Sequence, residues 1–108
     1  MKGSGEGELD SPYGIALDPD GNIYVADWGN HRVQKFTPEG NHLATFGHAG
    51  KGSGSLNHPT GVCIDNEGDV YVVDWMNERV VIYDKDAKPI TYFYGDAVDV
   101  SPFGGKCL

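Results

Sequence analysis

One stretch of this chain occurs twice. Leu9-Asp10-Ser11-Pro12-Tyr13-Gly14-Ile15-Ala16-Leu17-Asp18 returns 47 residues later as Leu56-Asn57-His58-Pro59-Thr60-Gly61-Val62-Cys63-Ile64-Asp65. The same offset pairs Gly21 with Gly68, Tyr24 with Tyr71, Asp27 with Asp74, Trp28 with Trp75, Arg32 with Arg79 and Phe46 with Phe93, with no gap. Of the 38 positions from 9 to 46, 13 are identical in the second copy, and most others exchange like for like. The glycine-rich stretches Gly3 to Gly7 and Gly50 to Gly54 also correspond. A third copy begins at Ser101-Pro102-Phe103-Gly104, which matches Ser11 to Gly14, and its pattern stops there. A repeat period in the forties means that one supersecondary unit is used again and must bury itself against its neighbours.

Each copy reads as four short strands. The first copy predicts strands at 14–17, 23–26, 32–36 and 43–46, and the second at 61–64, 70–73, 79–83 and 90–93. Turn residues separate them: Asp18-Pro19-Asp20-Gly21, Trp28-Gly29-Asn30 and Thr37-Pro38-Glu39-Gly40. Strands at this spacing suggest an all-β meander. Ile23 and Val25 point one way and Tyr24 and Ala26 the other, so both faces of the sheet are apolar and each needs a neighbour. Four-stranded sheets repeating every forty-odd residues, each packed between two others, are β-propeller blades. The expected organisation is a glycine-rich lead-in at 1–8, blade 1 at 9–47, a glycine-rich connection at 48–55, blade 2 at 56–95, and the start of a third repeat or a closing strand at 96–108.

Charge narrows the partners. Eight basic side chains against sixteen acidic ones leave a formal net charge of −8, with no concentrated basic surface for phosphates, so no nucleic-acid partner is expected. No apolar run approaches the ~18 residues of a membrane span, and no apolar stretch follows Lys2 as in a signal peptide. Neither a membrane partner nor a cofactor is expected, and the compartment is left open. The two cysteines do not make a disulfide scaffold. Cys63 is expected as a small buried hydrophobe and Cys107 lies near the chain end; pairing them would span the incomplete third repeat, so both are expected as free thiols.

The motif resembles the NHL repeat family of β-propellers. It runs Leu9, Pro12, Gly14, Asp18, Gly21, Tyr24, Val25, Asp27, Asn30, Arg32 and Val33, then Leu56, Pro59, Gly61, Asp65, Gly68, Tyr71, Val72, Asp74, Asn77, Arg79 and Val80. The resemblance implies a propeller of about six blades, of which this chain supplies two and a stub. Two blades leave two apolar faces uncovered. The expectation is an incomplete propeller closed by oligomerisation, as when three chains give six blades, or by the rest of a longer chain.

The resemblance puts two turns on one rim. Asp27, Asn30 and Arg32, with Asp74, Asn77 and Arg79, read as one structural fastener per blade. The turn needs no aromatic residue, so Trp28 and Trp75 either bind a partner or cover the seam between blades. Tyr13, Thr60 and Phe103, each between Pro and Gly, should share that rim, with His31 on the turn beside them. These six form the candidate binding surface, for a protein or a small ligand.

No histidine pair among His31, His42, His48 and His58 has zinc-site spacing, and no metal site is expected. Asp18-Pro19-Asp20-Gly21-Asn22 lacks the downstream glutamate of a calcium loop and reads as a hairpin turn, as does Asp65 to Asp69. No catalytic constellation is present. Propellers of the peptidylglycine amidating lyase type, which the Pro-x-Gly region resembles, carry zinc-binding histidines after the proline. This chain has Tyr13, Thr60 and Phe103 there. A non-enzymatic binding scaffold is therefore expected. The alternative is a fragment of an amidating-lyase-like or lactonase-like enzyme, inactive alone.

Overall fold

The computed structural model describes residues 2–50 and 52–94. Eight strands form: β1 Pro12–Leu17, β2 Ile23–Asp27, β3 Arg32–Phe36, β4 His42–Phe46, β5 Pro59–Ile64, β6 Val70–Asp74, β7 Arg79–Tyr83 and β8 Pro89–Tyr94. They build two four-stranded antiparallel sheets, ordered β1-β2-β3-β4 and β5-β6-β7-β8. These are blade 1 and blade 2. Every strand expected from the sequence is present, with ends shifted by no more than two residues. The stub expected at 96–108, with Phe103 and Cys107, lies outside the described residues. No helix among the described residues is long and apolar enough to cross a membrane.

The registers of the two blades match. Ile15 faces Val25 and Ala26 faces Val33 in blade 1, as Val62 faces Val72 and Val73 faces Val80 in blade 2. A bulge after Pro12 recurs after Pro59; proline donates no ladder hydrogen bond and is tolerated at a strand start. The β1–β2 turn closes on Gly21 at φ 84°, a left-handed backbone that glycine takes without a Cβ clash.

The core lies between the blades. Tyr24, Ala26, Val33 and Phe46 of blade 1 pack against Ile64, Val70, Val72, Val81 and Tyr83 of blade 2, with Leu56 from the connection. The Phe46 ring lies 5.8 Å from that of Tyr83 and 5.9 Å from that of Tyr24, within aromatic packing range. Gly14 makes the approach close: a Cβ there would lie 2.7 Å from the Thr60 carbonyl oxygen.

One expectation is overturned. Cys63 is buried in β5 and disulfide-bonded, and is not a free thiol. The expectation rested on the incomplete third repeat. However, β5 is one of the two edge strands of its sheet, with no strand hydrogen-bonded on its outer side, which leaves room for a second chain segment beside Cys63. Cys107 lies outside the described residues.

Candidate functional site

The turn from β2 to β3 is a single 3-10 turn over Trp28–Asn30, and the turn from β6 to β7 is another over Trp75–Asn77. Each ends on a left-handed residue, His31 at φ 56° and Glu78 at φ 53°. Such a backbone is uncommon outside glycine, so it must be held in place.

The Asp, Asn and Arg side chains of the turn do the holding. Asp27 Oδ1 accepts the Asp10 N–H at 2.8 Å, and its Oδ2 accepts from Arg32 Nε at 2.8 Å and Asn30 Nδ2 at 3.1 Å. Arg32 donates from Nη1 to the carbonyl of Ser4 and from Nη2 to those of Gly5 and Glu8, and Asn30 donates to that of Gly3. The glycine-rich lead-in is thereby clasped to the turn. Blade 2 repeats the clasp. Asp74 accepts from Asn57 N–H, Asn77 and Arg79, and Arg79 reaches the carbonyls of Gly52 and Ser55. Asp27 and Asp74 are fully buried, and every buried side-chain polar atom among the described residues has a partner. Charge-assisted bonds of this kind are among the strong ones.

The aromatic residues of the rim form a stack that crosses from one blade to the next. Tyr13 stacks on Trp28 with centroids 6.1 Å apart and planes 24° apart. His58, from the start of blade 2, meets Trp28 edge-on at 4.1 Å and His31 at 4.3 Å. The His58 backbone N–H donates to His31 Nδ1 at 3.1 Å, and His58 Nδ1 hydrogen-bonds Asn57 Oδ1 at 2.7 Å. Burial, and then the charge of His31, push the His58 imidazole below its ordinary pKa. Trp28 thus lies at the seam, half-buried. Tyr13 is 67% exposed and Trp75 is 53% exposed. Thr60 is half-buried, with its carbonyl against Gly14. The structure therefore brings Tyr13, Trp28 and His31 together. Phe103 is outside the described residues.

The sequence reading missed two participants. From the sequence, His58 counts only among the histidines without zinc-site spacing and not in the stack. Its signal was positional: it stands where Ser11 stands in the first copy, and both have a left-handed backbone, at φ 56° and φ 58°. The other is Gln34, which donates to the Glu8 carbonyl and accepts from the Gly7 N–H. Its signal was also positional: Gln34 stands where the second copy has Val81.

The opposite rim carries the β1–β2 and β5–β6 turns. Asp18 Oδ1 accepts the N–H groups of Asp20 and Asn22, and Asp65 Oδ1 those of Glu67 and Asp69. These are side-chain-capped hairpin turns. Burial raises the Asp18 pKa, but hydrogen bonds from Asn22, Asp20 and Tyr24 outweigh it and hold the carboxyl below its usual range. Burial, the Asp18 charge and the hydrogen bond to Asp18 push the Tyr24 phenol well up. A groove of about 310 Å³ separates the two turns, lined by Asp18, Asp20 and Lys35 on one side and by Glu67 and Lys85 on the other. Among the described residues, no three His, Cys, Asp or Glu side chains group as they would to hold a metal ion.

Comparison with known proteins agrees with the repeat. The family model described as NHL repeat matches residues 9–36 and again residues 56–83. The chain is 49% identical over 43 residues to protein lin-41 of Caenorhabditis elegans, covering 40% of this chain and 4% of that protein. It is 48% identical over 40 residues to E3 ubiquitin-protein ligase TRIM71 of Rattus norvegicus, covering 37% of this chain and 5% of the ligase. Protein brain tumor of Drosophila melanogaster is 42% identical over 45 residues, covering 42% of this chain and 4% of that protein. The matched segment is thus a small fraction of each of these relatives. A solved structure of a putative exported protein from Bacteroides fragilis superposes with a TM-score of 0.71 at 18% identity, covering 87% of this chain and 26% of that one. A protein of unknown function from Bacteroides caccae superposes with a TM-score of 0.65 at 15% identity, covering 82% and 31%. At such identities the superpositions speak for the fold alone.

Proposed function

The chain belongs to the NHL repeat family, and on that premise we propose that it is a non-enzymatic binding unit. Its two blades present an aromatic turn rim to a protein or small ligand. Its uncovered sheet faces are completed by further blades, from copies of itself or from a longer chain. The observation that carries this reading is the Tyr13–Trp28 stack, with Tyr13 67% exposed at the rim. An aromatic ring left that open beside a rigid seam is an anchor available at low entropic cost.

The residues favour binding over catalysis. The positions after Pro12 and Pro59, where a lyase-like propeller would hold zinc ligands, carry Tyr13 and Thr60. The buried carboxylates Asp27 and Asp74 are occupied by arginine and backbone N–H groups, so neither is free to act as an acid or base. The ligase TRIM71 of Rattus norvegicus is matched over only 5% of its length.

Peptides selected from a displayed random library on the wild-type protein test the rim. A Tyr13→Ala/Trp75→Ala variant with an unchanged circular dichroism spectrum should lose those peptides. Retained binding would remove the rim assignment. Solution mass tests completion by copies of the chain: a monodisperse monomer with a cooperative melt excludes it.

A further inference from the structure

The charge around the rim says what kind of partner its aromatic rings would take. In each blade a carboxylate stands at the tryptophan's turn, from within it or packed against it. Gly29, next to Trp28, donates its N–H to the Asp10 carbonyl at 2.8 Å, and the Asp10 carboxyl packs directly over Gly29. In blade 2, Glu78 donates its N–H to the Trp75 carbonyl at 3.1 Å and is itself exposed. No guanidinium of the turns projects to balance them. Arg32 and Arg79 are spent on Asp27, Asp74 and the carbonyls beneath. Lys35 stands at the far end of β3, and Lys85 and Lys88 lie in the β7–β8 turn, on the opposite rim. Lys2, in the lead-in, pairs with Leu9 through its backbone and is itself exposed. Among the described residues, the rim therefore joins open aromatic faces to carboxylates that neither arginine neutralises, on a chain whose net charge is already −8.

We propose that the aromatic rim binds a basic peptide, holding its Lys or Arg side chains against Tyr13 and Trp75 with Asp10 and Glu78 as counter-charges. This rests on the rim being the binding surface, and names its partner's chemistry. A cation over an aromatic face gains from the ring quadrupole. A nearby carboxylate adds Coulomb attraction that salt screens, and complementary charge steers the encounter.

The test uses the peptide acetyl-Gly-Arg-Gly-Lys-Gly-Arg-Gly-amide and its glutamate counterpart, read by tryptophan fluorescence on the full chain. The basic peptide should titrate saturably, and its affinity should fall as salt rises. Asp10→Asn is a mild variant, because Asn57 already fills that place in blade 2 with the same backbone bond to an aspartate. Asp10→Asn/Glu78→Gln should weaken the basic peptide about five- to tenfold, the loss expected for two exposed ion-pair contacts together. Equal binding of the two peptides, or an unchanged affinity in the double variant, overturns the proposal. So does preferential binding of a single-stranded oligouridine. The Tyr13→Ala/Trp75→Ala variant separates the two readings. If it abolishes library-selected acidic or neutral peptides, the rim stands and only the charge preference fails.

Discussion

In blade 1, Ile15 is 70% exposed and Leu17 lies open beside it. Their counterparts in blade 2, Val62 and Ile64, pack against blade 1, and Ile64 is only 7% exposed. The opposite sheet face shows the reverse. Phe46 of blade 1 is fully buried, whereas Phe93 of blade 2 is 44% exposed. Strand order, register and clasp are shared, so none of these decides the difference. What decides it is which neighbour each sheet has. A propeller blade carries one apolar face for the blade before it and another for the blade after it, and here each blade has used only one.

One residue pair shows that the covering also differs in kind. Gln34 and Val81 are equivalent and both buried. Val81 joins the core between blades, while Gln34 lies under the lead-in and pairs with the backbone of Gly7 and Glu8. A polar side chain is tolerated there because its hydrogen bonds are met.

The comparison can be broken at four places. The largest effect is expected at the clasps. Asp74→Ala strands Arg79, whose side chain is 2% exposed, and should cost about 3–5 kcal/mol in urea unfolding. Asp27→Ala should cost less, because the Arg32 side chain, at 12%, retains some access to water. Next comes Phe46→Ala, which empties the inter-blade core and should cost about 3 kcal/mol or more, against less than about 1 kcal/mol for Phe93→Ala. Equal losses for the two phenylalanines would mean that the blades do not pack as described.

A smaller split is expected at the glycines. Gly14→Ala drives a methyl into the Thr60 carbonyl and should destabilise by about 1–3 kcal/mol. Gly61→Ala meets Val73 at 3.4 Å, an ordinary contact, and should stay within about 0.5 kcal/mol. The smallest effect is in pH. The folded pKa of His58 lies below its unfolded value of about 6.5. Its contribution is therefore complete above that value and is lost as pH falls through the folded pKa. Melts from pH 7 down to 5 should show a drop that His58→Asn diminishes.

Much of the fold is legible without coordinates because it is local. The alternation of Ile23, Tyr24, Val25 and Ala26 states a strand with two apolar faces, and Asp18 two residues before Asp20 states its own turn. The repeat then converts one blade into two, and the Asp27–Arg32 spacing announces an ion pair across a tight turn. The same letters hide the rest. Trp28 and Trp75 are identical, yet one is half-covered by His58 and the other is open. The carbonyl oxygens that Arg32 grips stand 24 to 28 residues away and carry no side-chain signal. Periodicity and turn chemistry are properties of neighbours along the chain, so the sequence alone determined the strands, the blades and their count of two. Burial, the reach of the arginines and the stack across the seam depend on neighbours in space, which two copies of one motif meet differently, so only the tertiary structure decided those.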